Sequence, residues 1–125
     1  MKKKVRAIVV SDHKYVWWYK VQENLSVIVS PSNDKTSTVS IAFPYKPNND
    51  NLPQAAIGTI PYQIIMQKND VKETFEILSP KFISMMIEYL SSDMFVTHSN
   101  KSYNGFELLR NKGYSILDIK FKMYW

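Results

Sequence analysis

The side chains in this sequence that are best suited to chemistry are few and widely spaced. There are two histidines, His13 and His98, and no cysteine. Asp12 precedes His13 and Asp93 lies near His98, but neither pair has a helical His-x-x-x-His or other recognised ligand spacing. We expect both histidines to be solvated loop residues, and the sequence predicts no metal site.

Nucleophile and cofactor motifs are also missing from the sequence. The lack of cysteine excludes disulfides, thiolate metal sites and cysteine nucleophiles. With only three glycines, the chain contains no phosphate-binding loop, dinucleotide fingerprint or nucleophile elbow. The acidic residues are scattered, so only carboxylates brought together by the fold remain as a route to catalysis. We therefore predict a protein without a cofactor and lean towards a non-enzymatic one.

Length and charge narrow the classes of protein to which this chain could belong. A chain of 125 residues, 45% hydrophobic, is expected to form one domain spanning residues 1–125. The net charge is +5, of which Lys2, Lys3 and Lys4 supply three. Only Arg6 and Arg110 are arginines among the 16 basic residues, whereas sequence-reading proteins favour arginine. The apolar run Ala7 to Val10 is too short for a secretion signal or a membrane span, which predicts a cytoplasmic protein with no membrane partner.

The chain pattern predicts strands first and a helix later. Residues 5–10, 14–22, 25–30 and 38–43 are strand-like and joined by short turns, including Ser11-Asp12-His13, which predicts an antiparallel four-strand meander. Further strands are expected over 62–67, 72–78 and 117–125, the last with Leu117, Ile119, Phe121, Met123 and Trp125 on its apolar face. Pro61 should allow only an edge strand or a bend there. Residues 97–104 are expected to be a loop, and 105–112 are either a short helix or a turn and strand.

One principal helix is predicted over residues 80–92. Ser79 is suited to the N-cap, Pro80 to the first helical position, and the following apolar residues recur at a helical period. The fold class is therefore α+β, with a mainly antiparallel sheet of about five to seven strands and this helix packed on one face.

Two surface segments are candidate binding sites. On a strand over 14–22, Trp18 lies between Lys14 and Lys20 on the face opposite Trp17. An aromatic flanked by cations suits a protein hot spot or a base-stacking platform; the alternative is that the helix covers this face and makes Trp18 a second core layer. The weaker segment carries Tyr45 and Lys46 within a Pro-x-x-P spacing, which is typical of a polyproline ligand or simply of a strand exit.

Several of these segments together carry a resemblance. They are Tyr15-Val16-Trp17, Val39-Ser40-Ile41-Ala42-Phe43, Ile77-Leu78-Ser79-Pro80-Lys81-Phe82-Ile83 and Ile87-Glu88-Tyr89-Leu90. Over about half of the chain, the sequence resembles a group of small bacterial proteins in which a strand meander precedes a Ser/Thr-Pro-Lys helix start. The resemblance implies the α+β layout and no established activity.

The function these observations favour is a non-enzymatic protein-interaction module of bacterial or phage type. It would bind another protein, or a second copy of itself, through a sheet face or edge. The alternative is a nucleic-acid-binding module that uses Trp18 and the lysine-rich N-terminus.

Overall fold

Eight strands and two helices make up the described part of the chain. A computed structural model describes residues 5–21, 24–34, 36–44, 59–90 and 99–123. Its elements are β1 (Arg6–Val10), β2 (His13–Val21), β3 (Asn24–Pro31), β4 (Ser37–Pro44), β5 (Thr59–Lys68), β6 (Val71–Glu76), α1 (Pro80–Tyr89), β7 (Ser99–Asn104), α2 (Gly105–Asn111) and β8 (Ser115–Met123). The predicted α+β class is confirmed, with the strands divided between two mostly antiparallel sheets.

The first four strands form the predicted antiparallel meander. Each pairs with the next along the chain. The turn between β1 and β2 has positive φ at both central residues, 52° for Ser11 and 66° for Asp12, which is the two-residue hairpin turn that matches strand twist. Consecutive short turns therefore place β1 to β4 side by side, as the sequence indicates.

The fifth strand of this sheet is β7, and it was not predicted. β7 pairs with β4 in parallel, with Ser37 opposite Ser99 and Ala42 opposite Asn104. The sequence-based prediction of a loop over 97–104 is therefore wrong for 99–104. The segment is almost wholly polar because it lies at the sheet edge, and its partner strand is far away in sequence, so no local pattern marks it.

The second sheet has the order β6-β5-β8. β5 extends the predicted 62–67 strand in both directions and is the central strand, although it contains Pro61. Proline is accepted in this central strand because β6 pairs with β5 only from Gln63 onward. The pairing of β5 with β8 is also irregular here, with a register shift between residues 61 and 63 of β5. At Pro61 the strand is therefore bent and locally unpaired by β6, a position that tolerates the missing N–H.

A second irregularity changes the apolar face of β8. Met66 is opposite Ile116 while Ile65 is opposite Asp118, so Leu117 lies in a bulge. Ile116 and Ile119 pack against the core, whereas Leu117 is 48% exposed. The prediction that Leu117 shares a buried face with Ile119 is therefore wrong, because one extra residue reverses the alternation of side chains.

Both helices have side-chain N-caps. Ser79 Oγ accepts a hydrogen bond from the Phe82 N–H at 3.2 Å, which confirms the predicted start of α1. The predicted end at residue 92 lies outside the described residues; the helix runs to Tyr89. Asn104 Oδ1 accepts from the Phe106 and Glu107 N–H groups and starts α2, which settles the ambiguity over 105–112. Neither described helix has the length and apolar character required to cross a bilayer.

Buried apolar side chains from both sheets and both helices form one core. The Phe82 ring of α1 lies 6.0 Å from Phe43 of β4 and 5.9 Å from Phe75 of β6, measured between centroids. Phe43 also meets Phe106 of α2 edge to face at 5.4 Å. α1 therefore packs on the sheet face that carries Trp17 and joins the two sheets.

We expect Ser79→Ala to reduce the free energy of unfolding by about 1 kcal/mol, because the Phe82 N–H loses its acceptor. Ser79→Asp is the matched control, since a carboxylate restores an acceptor at the same place. Urea denaturation followed by circular dichroism measures both. Equal stability of Ser79→Ala and the parent chain would contradict a role for this cap.

We expect Gly105→Ala to be destabilising by about 1–3 kcal/mol, although alanine is the better helix former. A β-carbon at Gly105 would lie 2.6 Å from Cζ of the buried Phe43 ring. Asn111→Ala, at an exposed position of the same helix, should leave stability almost unchanged. A Gly105→Ala chain as stable as the parent would show that the Phe43 ring can move.

Candidate functional site

Adjacent tryptophans on β2 point to opposite faces of the five-stranded sheet. Trp17 is 2% exposed and belongs to the core. Trp18 is half-buried and is not among the side chains packed against that core. Its cross-strand neighbour Ile28 is buried at 6% exposure but also lies outside the core cluster. Since α1 contributes to the Trp17 side, it does not make Trp18 part of its packing layer.

The strand register defines the face that carries Trp18, here named the outer face. Its described members are Val5, Ala7 and Val9; Lys14, Val16, Trp18 and Lys20; Ser26, Ile28 and Ser30; Thr38, Ser40, Ala42 and Pro44; and Asn100, Ser102 and Asn104. The members on β1 to β3 are largely apolar and those on β4 and β7 are largely polar without charge.

Apolar side chains on β1 to β3 form a contiguous area, here named the apolar patch. It consists of Val5, Ala7, Val9, Val16, Trp18 and Ile28. Val5 is 47% exposed and Val9 is 60% exposed, so two large aliphatic side chains at its margin lie in solvent. Isolated exposed valines are common, but here Ala7, Val16 and the half-buried Trp18 lie on the same face, a combination that suits a recognition surface.

The two predicted lysines lie on this outer face. Lys14 is opposite Val9 and Lys20 is opposite Ser26, and both are exposed. None of the described members of the outer face is acidic. The structure thus places Lys14, Trp18 and Lys20 on one face of β2, as the alternation of the strand predicts, with one lysine on either side of Trp18 along the strand. The weaker candidates Tyr45 and Lys46 lie outside the described residues.

Sequence reasoning missed a cleft at one end of this sheet. It has a volume of about 500 Å³ and is lined by Asp12, His13, Lys14, Tyr15, Pro31, Ser32 and Asn33. The β1–β2 and β3–β4 turns form it together, and the Ser32 N–H donates to the Lys14 carbonyl at 2.9 Å. Alternate turns of a meander emerge at the same end, so the meander itself was the signal that could have located it.

The cleft does not assemble a metal centre from described residues. Asp12 and His13 line it, but no group of three or more histidine or acidic side chains within the described ranges could hold an ion. His13, predicted to be a solvated loop residue, is exposed at the first position of β2. His98 lies outside the described residues.

A pair of tyrosines joins α1 to the residue that directly precedes β8, Tyr114. The Tyr89 hydroxyl donates to the Tyr114 hydroxyl at 3.3 Å, and Tyr114 contacts Met85 Sδ at 3.8 Å. Lys68 lies over the Tyr114 ring and Lys112 over the Tyr89 ring. Burial, with help from the Tyr114 hydrogen bond, raises the pKa of Tyr89 well above its usual range. Tyr89 therefore stays a neutral hydrogen-bond donor that attaches the helix to the strand.

Comparisons with known proteins add no homologue to this picture. No protein-family model, curated protein or solved structure matches the chain.

We expect Trp17→Ala to cost about 3–5 kcal/mol of unfolding free energy, because it empties a site in the core. Trp18→Ala should cost less than about 2 kcal/mol, because its side chain is half-buried on the outer face. Urea denaturation of the two variants gives the comparison. Equal losses would mean that Trp18 is packed as firmly as Trp17 and would remove the outer face as a candidate site.

Proposed function

We propose that this protein is a cytoplasmic, non-enzymatic interaction module of bacterial or phage type. Its outer face would bind a partner protein that presents apolar side chains surrounded by acidic ones. The observation that carries the proposal is the apolar patch: a group of apolar side chains with Trp18 among them, on the sheet face opposite the core.

The composition of the patch supports binding rather than chemistry. It combines aliphatic side chains, one large aromatic ring and flanking lysines, a combination that suits a desolvated contact centre with a polar rim. No histidine or carboxylate occurs among the described members of the outer face. His13 is not a member of the outer face, although the cleft that it lines is also lined by Lys14, and the Tyr89–Tyr114 pair lies elsewhere in the molecule.

Charge indicates which partner fits. Lys14 and Lys20 are the charged side chains among the described members of the outer face, so its field is positive. A second copy would bring two lysine-bearing faces together in a chain that already carries +5, and like charges at a contact are unfavourable. The contact with an acidic partner is electrostatically favourable instead.

Nucleic acid is the second anionic partner to consider, since Trp18 between two lysines on the outer face also resembles a stacking platform. The two arginines argue for the protein partner. Arg6 lies over the Trp17 ring at 5.4 Å, and Arg110 pairs with Glu107 at 2.9 Å. Both thus lie outside the outer face and away from Trp18, although arginine is the residue best suited to phosphate and base contacts.

The proposal is tested with three classes of fluorescent probe. Two acidic amphipathic peptides are used, a helix-forming one of Glu, Leu and Ala and a strand-forming one of alternating Glu and Val. The second class consists of the same two peptides with lysine in place of glutamate. The third class is a single-stranded oligonucleotide. We expect the chain to bind at least one acidic peptide and neither basic counterpart, as measured by fluorescence anisotropy.

Charge reversal then locates the site. Lys14→Glu with Lys20→Glu should weaken binding of the acidic peptide by about tenfold or more, because the electrostatic field around the outer face changes from positive to negative. Lys72→Glu with Lys101→Glu, two exposed lysines outside the outer face, removes the same charge and should have much less effect.

Two results would overturn the proposal. One is equal weakening by both charge-reversed pairs, which would reduce binding to net charge. The other is binding of the oligonucleotide without any acidic peptide, with an affinity that falls steeply with salt as counterion release requires.

A further inference from the structure

One edge of the five-stranded sheet is suited to pairing with another chain. The sheet order is β1-β2-β3-β4-β7, so β1 is an edge strand. Among the described residues, β1 pairs with β2 and with no other strand. Four of its five residues are apolar, Arg6 being the exception. An edge strand of this composition is a template for strand addition.

The register shows which backbone groups of β1 point to the open edge. After a two-residue turn the flanking residues, here Val10 and His13, form a hydrogen-bonded pair. The next pair, Val9 and Lys14, is then not hydrogen-bonded, and its backbone groups point away from each other. The Lys14 carbonyl indeed accepts from Ser32 on the far side. By the same alternation, the N–H and C=O groups of Val9 and Ala7 point to the open edge.

Ala7 and Val9 therefore combine two properties. Their backbone groups face the edge, and their side chains belong to the apolar patch. A strand added antiparallel to β1 would place every second side chain beside Ala7 and Val9 on the outer face. The intervening side chains would lie on the side of exposed Arg6. The chemistry of this edge thus suits an extended segment in which apolar and acidic residues alternate.

The other edge strands are less suited to this contact. β6 contains Lys72, Glu73 and Glu76, and β8 contains three charged residues and a bulge. β7 is almost wholly polar. Charges and bulges are features that discourage pairing at an edge. β1 has no bulge and a single charged residue, Arg6, whose cation attracts an acidic segment.

We infer that the partner binds by adding an extended, acidic and apolar strand antiparallel to β1. This inference rests on the proposed function, because it names the mode by which the same partner reaches the apolar patch. Backbone hydrogen bonds to Ala7 and Val9 supply the register, and the patch supplies contacts for alternate side chains.

The test uses the strand-forming Glu/Val peptide in three forms, each against the parent chain. In antiparallel addition the valines opposite Ala7 and Val9 present their N–H groups to β1. N-methylation of the valines should therefore abolish binding, and N-methylation of the glutamates should leave it within about threefold, since those N–H groups face solvent. Fluorescence anisotropy measures all three.

A variant of the chain supplies the complementary measurement. Ala7→Pro removes one N–H that points to the open edge, at a type of position where proline is tolerated. It should weaken binding of the unmethylated strand-forming peptide by about tenfold, with little change in the melting temperature. Val9→Pro should act in the same way, which covers the case in which one variant is unstable.

Each outcome has a separate meaning. Loss confined to the valine-methylated form supports strand addition, and loss confined to the glutamate-methylated form contradicts the proposed register. If both methylated forms bind as well as the parent peptide, while Lys14→Glu with Lys20→Glu still abolishes binding, strand addition is overturned and the proposed function stands. Binding of the helix-forming peptide alone has the same meaning. If no acidic peptide binds, or if the chain dimerises through β1 in analytical ultracentrifugation, both strand addition and the proposed function are overturned.

Discussion

The Phe82 ring makes the contacts on which the arrangement of this fold depends. It lies against Phe43 of one sheet and Phe75 of the other, and Phe43 in turn meets Phe106 of the second helix. Neither sheet can bury its apolar face alone, so a helix that contacts both gives them a common core. The close fit of Gly105 beneath Phe43 completes this packing, because a larger residue there would displace the ring.

A core gathered on one side of the meander has a consequence for the opposite side. The same alternation that buries Trp17 places Trp18, Val16 and Val9 on the outer face. These side chains add nothing to the core, yet they are apolar. The protein thus presents hydrophobic surface where solvent-facing strands normally carry polar residues, and its lysines keep that surface positively charged. This separation of packing and recognition between the two faces of one strand is what makes the outer face a binding candidate.

Much of the fold and of the candidate site could be predicted from local patterns in the sequence. The capping serine, the short turn at Ser11-Asp12 and the alternation through Lys14, Trp18 and Lys20 each act over a few residues, so the sequence alone predicted them correctly. β7 was not predicted because a polar edge strand has no apolar period, and its pairing with β4 spans a long stretch of chain. The face of Leu117 was wrong for a related reason: a bulge depends on the partner strand, which the sequence of β8 does not show.

By itself, the sequence determined the α+β class, the meander, the principal helix and the exclusion of cysteine chemistry, because each follows from residue type and short-range spacing. Only the tertiary structure decided which face of the meander receives α1. A strand with aromatic residues on both sides, as at Trp17 and Trp18, can be packed from either side, and local propensity is the same in both cases. The choice was made by distant partners, chiefly Phe82, and that choice left Trp18 on the outer face.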